Sequence, residues 1–163
     1  MIRILETIDT DIFLKTFNSV EPSIQWTEYG HKGKQAGVQY RQDENPWTSA
    51  VGKSTGQEQD VNLINSVFKD TVFESIINQY HLTRSRLMWV YPFACYSMHK
   101  DYSCRLHIPL VTNKDCYFVF KDQEPQHLAL GNIYLTDTRK FHTFMNCSDS
   151  PRLHFVGICQ EKF

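Results

Sequence analysis

At residues 98–110 the chain reads MHKDYSCRLHIPL, and both the expected fold and the expected site are organised around this stretch. Its second part, residues 105–110, belongs to an apolar run that is typical of a buried strand. Just before that run, His99 and Asp101 lie two positions apart. On an extended strand, side chains two residues apart leave the same face, so the imidazole and the carboxylate can converge on one point. The pair therefore predicts a metal site.

Two later residues complete a site of this kind. His142 lies 41 residues after Asp101, in the strand-like run 141–146. A His-x-Asp pair completed by a distant histidine is the facial triad that binds Fe(II) on one side and leaves the other side open for a cosubstrate and O2. Arg152 follows His142 by ten residues. Its guanidinium would supply the fork of charge-assisted hydrogen bonds that a carboxylate of 2-oxoglutarate requires.

The second half of the chain carries a repeated strand signal. Seven short apolar or alternating runs are separated by turn residues, and they span residues 86–91, 95–99, 105–111, 115–121, 133–136, 141–146 and 152–159. Short strands at this spacing are typical of a sandwich or barrel. We therefore expect a mostly β fold, a double-stranded β-helix or cupin-like jelly roll, with N-terminal helices packed on its outside.

The first half of the chain contains the predicted helices. Apolar residues recur at three- and four-residue steps over residues 60–80, which predicts the longest helix, and a shorter stripe predicts a helix over residues 9–20. The polar segment 41–57 predicts a loop, with Trp47 either packed on the core or covering a bound substrate. Strand-like pieces occupy residues 23–29 and 35–40.

Length and charge limit the classes of function. A chain of 163 residues is expected to form a single domain, residues 1–163, with an N-terminal part over 1–83 and a jelly-roll core over 84–160. The formal net charge is -1, so no long-range field favours nucleic acid or an anionic membrane as a partner. No apolar stretch of 18 residues is present, and we expect no membrane span.

The five cysteines indicate the compartment. Their number is odd, their spacing is wide, and no Cys-x-x-Cys pair occurs. This usage is typical of buried free thiols and not of a disulfide framework or a zinc site. We therefore expect a protein of a reducing compartment, the cytoplasm.

Together these motifs resemble the aspartyl/asparaginyl β-hydroxylase-like group of Fe(II)/2-oxoglutarate dioxygenases. The likeness extends over residues 86–156. It comprises Pro92 seven residues before His99, the His-x-Asp pair, Arg-Leu-His-Ile-Pro-Leu at residues 105–110, Gly131 opening a strand that ends in Asp137, His142 with Asn146 four residues later, and Arg-Leu-His-Phe at residues 152–155.

The resemblance implies a role for each residue of the site. It implies that the His-x-Asp pair and His142 bind iron. It also implies that Arg152 holds the distal carboxylate of 2-oxoglutarate and that His107 contacts the other end of this cosubstrate. By the same analogy, Arg105 reaches either the cosubstrate or the substrate.

The implied activity is hydroxylation of an amino acid or an amino-acid side chain, with Fe(II), 2-oxoglutarate and O2. Two alternatives stay open: a free amino-acid hydroxylase of the proline type, and a non-catalytic metal-binding jelly-roll domain. The expected partner is a small-molecule or peptide substrate, and neither nucleic acid nor membrane. A carboxylate on that substrate would suit Arg105, because Arg105 shares a strand face with His107.

Several other polar residues have a structural or an indirect interpretation. His154 shares a strand face with Arg152, and it either orients that arginine or lines the pocket. Asp137 either anchors a turn or fixes the tautomer of His142. Asn146 is expected to hold the turn after its strand. Ordinary structural roles are also expected for the remaining histidines, His31, His81 and His127.

Overall fold

The computed structural model of the protein describes residues 1–52 and 57–160. Within these residues the chain forms two α-helices, α1 (Thr10–Val20) and α2 (Val72–Gln79). The strands in the same residues are β1 (Ile2–Thr7), β2 (Thr27–Glu28), β3 (Gly33–Gly37), β4 (Gln39–Tyr40), β5 (Leu63–Ile64), β6 (Thr83–Val90), β7 (Ala94–Cys95), β8 (Cys104–Val111), β9 (Cys116–Phe120), β10 (Asn132–Thr136), β11 (His142–Asn146) and β12 (Arg152–Cys159).

Two antiparallel sheets form the body of the protein. Seven strands make one sheet, in the order β1-β10-β8-β12-β6-β3-β2, and three strands make the other, in the order β7-β11-β9. Apolar side chains from both sheets, including Met88 of β6 and Phe118 of β9, pack together in one cluster. Strands β1, β2 and β3 extend the larger sheet at its two edges, so the first part of the chain shares this sheet. The expected mostly β fold of the jelly-roll type is confirmed.

The two helices cover the outer face of the larger sheet. The ring of Phe73 in α2 is fully buried, and its centroid lies 5.6 Å from that of Phe13 in α1, 5.5 Å from that of Phe68 and 5.4 Å from that of Phe155 in β12. Edge-on and tilted aromatic contacts of this kind stabilise the packing beyond the area that they bury. The expected position of the helices outside the β core is confirmed, as is the short helix over residues 9–20.

The long helix predicted over residues 60–80 is wrong in its first half. Helix α2 begins only at Val72, since Asp70 has a left-handed backbone (φ 57°) that breaks helical geometry and Thr71 is the N-cap. Upstream, β5 pairs with β4, and residues 58–60 and 66–68 are 3₁₀ turns. The apolar residues before Val72 are therefore placed by turns and a short strand and not by a helix. The same spacing of apolar residues can arise without one continuous helix.

The Thr71 cap carries a prediction about stability. The Thr71 side chain accepts a hydrogen bond from the backbone N–H of Phe73 at 3.2 Å. We expect Thr71→Ala to lower the free energy of unfolding by ~0.5–2 kcal/mol, measured by chemical denaturation, because this N–H loses its partner. Thr16→Ala, inside α1, is the matched control and should have little effect, since its hydroxyl only donates to the carbonyl of Ile12. Equal losses in both variants would show that the cap contributes nothing.

The other predicted elements have adjusted bounds. Six of the seven runs in the second half coincide with a strand, but the run 95–99 does not, because β7 ends at Cys95 and His99 lies outside it. The strand predicted over 23–29 is reduced to β2, because Pro22 lies in a 3₁₀ turn at Glu21–Ser23. The piece 35–40 divides between β3 and β4.

The segment 41–57 is a loop over residues 41–52, which contain neither helix nor strand, and residues 53–56 lie outside the described residues. Trp47 is 9% exposed, and its ring centroid lies 6.3 Å from that of Phe68. The interpretation of Trp47 as a residue that packs the loop on the core is confirmed.

All five cysteines lie within the described residues and none of them forms a disulfide bond, as expected. Three of them are buried, but Cys95 and Cys147 are exposed, which the expectation of buried thiols did not include. None of the described helices is both long enough and apolar enough to cross a membrane.

Candidate metal centre and its cavity

The site is built on a row of side chains that crosses the inner face of the larger sheet. The strand register pairs Arg86 of β6 with Val156 of β12, and Val156 with His107 of β8. Arg84 and Arg105 lie two residues before Arg86 and His107 and therefore point to the same side. These side chains line the space between the two sheets.

Three potential metal ligands converge at one end of this space. His99, Asp101 and His142 each offer a ligand atom, and these atoms lie within 4.8 Å of one another. His142 Nε2 lies 3.9 Å from Asp101 Oδ2. The backbones of His99 and His142 exchange two hydrogen bonds, of 2.9 and 2.8 Å, and the Asp101 N–H donates to the carbonyl of Thr138 at 2.8 Å. The convergence predicted from sequence thus occurs, but through a bridge between His99 and His142 and not through one continuous strand.

Hydrogen bonds set the orientation of both imidazoles. Nδ1 of His99 lies 2.7 Å from the carbonyl oxygen of Ser97, and Nδ1 of His142 lies 2.9 Å from that of Lys140. A carbonyl only accepts, so Nδ1 carries the proton in both rings and the Nε2 lone pairs remain for a metal. Burial lowers the pKa of His142, which favours the neutral ring that a metal requires. The ring of His142 is also stacked on Phe118, with an interplanar angle of 4°.

Two histidines and one carboxylate on one side of an open cavity are the donor set of a non-haem Fe(II) site. The residues present therefore fit the iron that the resemblance implies. His99, Asp101 and His142 would hold it, and their Nδ1–H···O=C bonds are the outer contacts that usually fix such ligands.

A chain of charges extends from the triad to the other end of the cavity. Asp101 Oδ2 accepts from Arg105 Nε at 3.1 Å, and Arg105 Nη2 donates to Glu58 Oε1, also at 3.1 Å. The same Glu58 oxygen accepts from Arg84 Nη1 at 2.6 Å. Arg105, which is 3% exposed, therefore joins the potential metal ligand Asp101 to Glu58, which follows the loop.

These arginines determine the charge states of the two carboxyls. Burial alone would raise the pKa of Asp101, but Arg105 and the other cationic groups around it together outweigh burial, and the net pKa is lowered. The pKa of Glu58 is lowered in the same way, because Arg105 and Arg84 outweigh its burial. Both groups are therefore carboxylates near neutral pH.

Glu58, Arg84 and Arg86 were not predicted from the sequence. For the two arginines a signal existed: in Thr-Arg-Ser-Arg-Leu-Met they occupy alternate positions of a mostly buried strand. A charge repeated on one face of a buried strand indicates a polar cavity. Glu58 had no such signal, because it lies in a polar segment without periodicity.

The cavity has a volume of about 670 Å³, within the usual range for a ligand site of roughly 300–1,000 Å³. The described side chains that line it carry an excess of positive charge. Five are cationic and two are carboxylates, namely Lys32, Arg84, Arg86, Lys100 and Arg105 against Glu58 and Asp101. The cavity is therefore suited to anions.

Several buried polar atoms of residues that line the cavity lack a hydrogen-bond partner in the described part of the protein. They include Arg84 Nε, Arg105 Nη1 and both ring nitrogens of His107. Burial, with Arg152 as the next cause, holds the pKa of His107 well below its usual value, so the ring is neutral and offers one donor and one acceptor. Unpaired buried polar groups are costly, and a polar ligand in the cavity would satisfy them.

Arg152 does not line this cavity, but it contacts Phe144, which does. It is 5% exposed, its Nε donates to His154 Nε2 at 2.9 Å, and its Cζ lies 5.2 Å from the ring centroid of Phe144. His154 thus orients Arg152 and does not line the cavity, so the first of the two interpretations of His154 holds. A direct contact between Arg152 and a ligand in the cavity requires a rearrangement of the cavity wall.

The other singled-out residues have structural contacts. Asp137 accepts from Arg139 Nε at 2.7 Å and is not bonded to His142, so it anchors a turn. Asn146 Nδ2 donates to the carbonyl of Ser150 at 2.8 Å, which holds the turn after β11. The remaining histidines do not line the cavity, and they are His31, His81 and His127.

The sequence matches the family model described as aspartyl/asparaginyl beta-hydroxylase over residues 13–160. No curated protein shows significant sequence similarity to the chain.

Solved structures share the fold at low identity. An oxidoreductase of the 2OG-Fe(II) oxygenase family from Burkholderia pseudomallei is 14% identical, with a TM-score of 0.61, over 96% of this chain and 82% of that one. The DMSP lyase DddQ from Ruegeria pomeroyi is 9% identical, with a TM-score of 0.52, over 99% of this chain and 78% of that one. Because an oxidoreductase and a lyase both share this fold, the reaction must be argued from the site.

Proposed function

The chain belongs to the aspartyl/asparaginyl β-hydroxylase family, and we propose on this premise that it is an Fe(II)- and 2-oxoglutarate-dependent dioxygenase that hydroxylates an amino acid or an amino-acid side chain. The observation that carries the proposal is the convergence of His99, Asp101 and His142 with both imidazole Nε2 atoms available. In the balanced reaction, 2-oxoglutarate, O2 and a substrate C–H yield succinate, CO2 and the alcohol. In this reaction O2 is the oxidant; a bound iron would activate it, and 2-oxoglutarate would supply two of the four electrons.

The polar groups of the site support 2-oxoglutarate as the cosubstrate. It is a dianion, and the cavity has an excess of cationic side chains. His107 offers a neutral imidazole with two unpaired nitrogens, as a group that binds one end of the cosubstrate should. Arg152 is buried without a carboxylate partner among the described residues, and its guanidinium is the proposed partner of the distal carboxylate.

The protein's own contribution is position and the exclusion of water. The cavity lies between two packed sheets, and the triad is held by backbone hydrogen bonds, so a bound substrate can be aimed at one point. The proposed substrate is a small molecule or a peptide that carries a carboxylate. A cytoplasmic location is part of the same proposal, and the absence of disulfide bonds among the five cysteines, all of which are described, supports it.

The proposal is tested by adding Fe(II) and 2-oxoglutarate to the protein without oxygen. We expect the weak visible charge-transfer band of a keto acid chelated to Fe(II), followed by its loss and by succinate formation when O2 is admitted. Glutarate is the matched control, because it has both carboxylates but no keto oxygen and cannot form the chelate. A protein that binds Fe(II) but gives no band with 2-oxoglutarate would be a metal-binding domain of the non-catalytic class.

A further inference from the structure

Arg86 occupies the middle of the inner face of the larger sheet. It lies on β6, between Gly37 of β3 and Val156 of β12 in the strand register. Its side chain is partly exposed and lines the cavity that contains the triad. A group in this position is available to a bound molecule.

Arg86 differs from the two arginines beside it. Arg84 and Arg105 share Glu58, and Arg105 also pairs with Asp101. Arg86 has no carboxylate within 4.0 Å over residues 1–52 and 57–160, and its contacts are Met88 Sδ at 3.4 Å and the carbonyl of Ala50 at 3.3 Å. Among these three arginines, Arg86 is the one without a negatively charged partner in the described residues.

An unpaired guanidinium in this position is costly. Burial, followed by repulsion from Arg105 and Arg84, lowers the pKa of Arg86 to about 9, so the group is still cationic at neutral pH. A charge that is partly removed from water and has no counter-charge is unfavourable, and a ligand that brings a negative charge removes this cost.

The iron and 2-oxoglutarate of the proposed function do not supply that charge. The two positive charges of the metal and the two negative charges of the cosubstrate cancel, and the excess of three cationic side chains in the cavity remains. Arg86 therefore has no counter-charge among the described residues when both are bound, and the substrate is the remaining molecule that enters the site.

We infer that Arg86 binds a carboxylate of the substrate and selects carboxylate-bearing amino acids or peptides over their neutral counterparts. The inference rests on the proposed function. A guanidinium binds a carboxylate through two parallel hydrogen bonds, which fix the position of the substrate as well as its charge. Arg105, by contrast, is committed to Asp101 and Glu58 and acts as a positioning residue for the metal ligand.

The experiment measures binding without turnover. A panel of N-acetyl amino acids and the matched N-acetyl amino-acid amides is titrated calorimetrically into the protein with Mn(II) and 2-oxoglutarate, in the absence of oxygen. We expect members with a free carboxylate to bind about thirtyfold or more tighter than the matched amides, as is usual when one partner of a buried charge pair is lost. Equal affinities, or no binding by any carboxylate member, would overturn the inference.

Variants then assign the preference to Arg86. In Arg86→Met the carboxylate and the amide should bind alike, and Arg86→Lys should retain part of the preference because it keeps the charge but loses the fork. Arg139→Met is the matched control, since Arg139 is half exposed and lies outside the cavity, and it should behave as the wild type. A preference that survives in Arg86→Met would overturn the assignment.

A separate titration distinguishes this inference from the proposed function. With Mn(II) present, 2-oxoglutarate should bind Arg86→Met as it binds the wild type, and a loss of that binding would make Arg86 a cosubstrate residue instead. If the wild type itself failed to bind 2-oxoglutarate, the proposed function would be wrong. The carboxylate preference can still be measured in that case, with Mn(II) alone.

Discussion

The His142→Ala variant is expected to lose both metal binding and substrate-coupled turnover. His142 is 2% exposed, its Nε2 points at the His99 and Asp101 ligand atoms, and its removal leaves two ligands where three are needed. Loss of an outer hydrogen bond to a metal ligand already costs roughly 10–100-fold in affinity or activity, so loss of the ligand itself should exceed that range. Equilibrium dialysis with metal analysis measures the binding, and succinate formation measures the turnover.

The fold should survive this substitution. The triad lies at one end of the cavity, whereas the fully buried aromatic residues Phe68, Phe73 and Phe155 pack on the other face of the larger sheet. His99→Ala is a second ligand variant with less burial, and His31→Ala, at an exposed position outside the cavity, is the control. Near-normal 2-oxoglutarate decarboxylation in either ligand variant would show that the triad is not the iron site.

Arg152→Ala should raise the 2-oxoglutarate concentration needed for half-saturation by a large factor. Burial lowers the pKa of Arg152 to about 10, so the group stays cationic at neutral pH and can pair with a carboxylate. Removing one partner of a buried, hydrogen-bonded charge pair typically costs ~2–5 kcal/mol, which corresponds to about 30-fold to several thousandfold in affinity. Anaerobic titration of the Fe(II) protein with 2-oxoglutarate measures the change.

Two controls accompany the Arg152 variant. Metal binding should be unchanged, because Arg152 is not among the grouped ligands, and Arg139→Ala should leave the 2-oxoglutarate affinity as it is in the wild type. If Arg152→Ala binds 2-oxoglutarate normally, the anchor is another cation. Arg86 would then be the first candidate, since it lines the cavity without an acidic partner in the described chain.

Residues 60–80 show how sequence periodicity and tertiary structure can disagree. The spacing of apolar residues over 60–80 fits a helix, yet Leu63–Ile64 pairs with Gln39–Tyr40 and the helix starts at Val72. Periodicity reports which residues are buried, and several backbone conformations can bury the same set. The choice between them depends on a partner strand more than 20 positions away.

The sequence by itself determined most of the strand content of the second half and the three residues that converge as candidate metal ligands. Both signals are local: alternation along a strand, a His-x-Asp spacing, and a later histidine and arginine in a familiar order. Only the tertiary structure decided which charges meet. Glu58 reaches Arg84 and Arg105 across 26 and 47 positions, and this pairing leaves Arg86 without a carboxylate partner among the described residues. Ion pairs form between side chains that the strand order brings within a few ångströms, and no local pattern encodes that order.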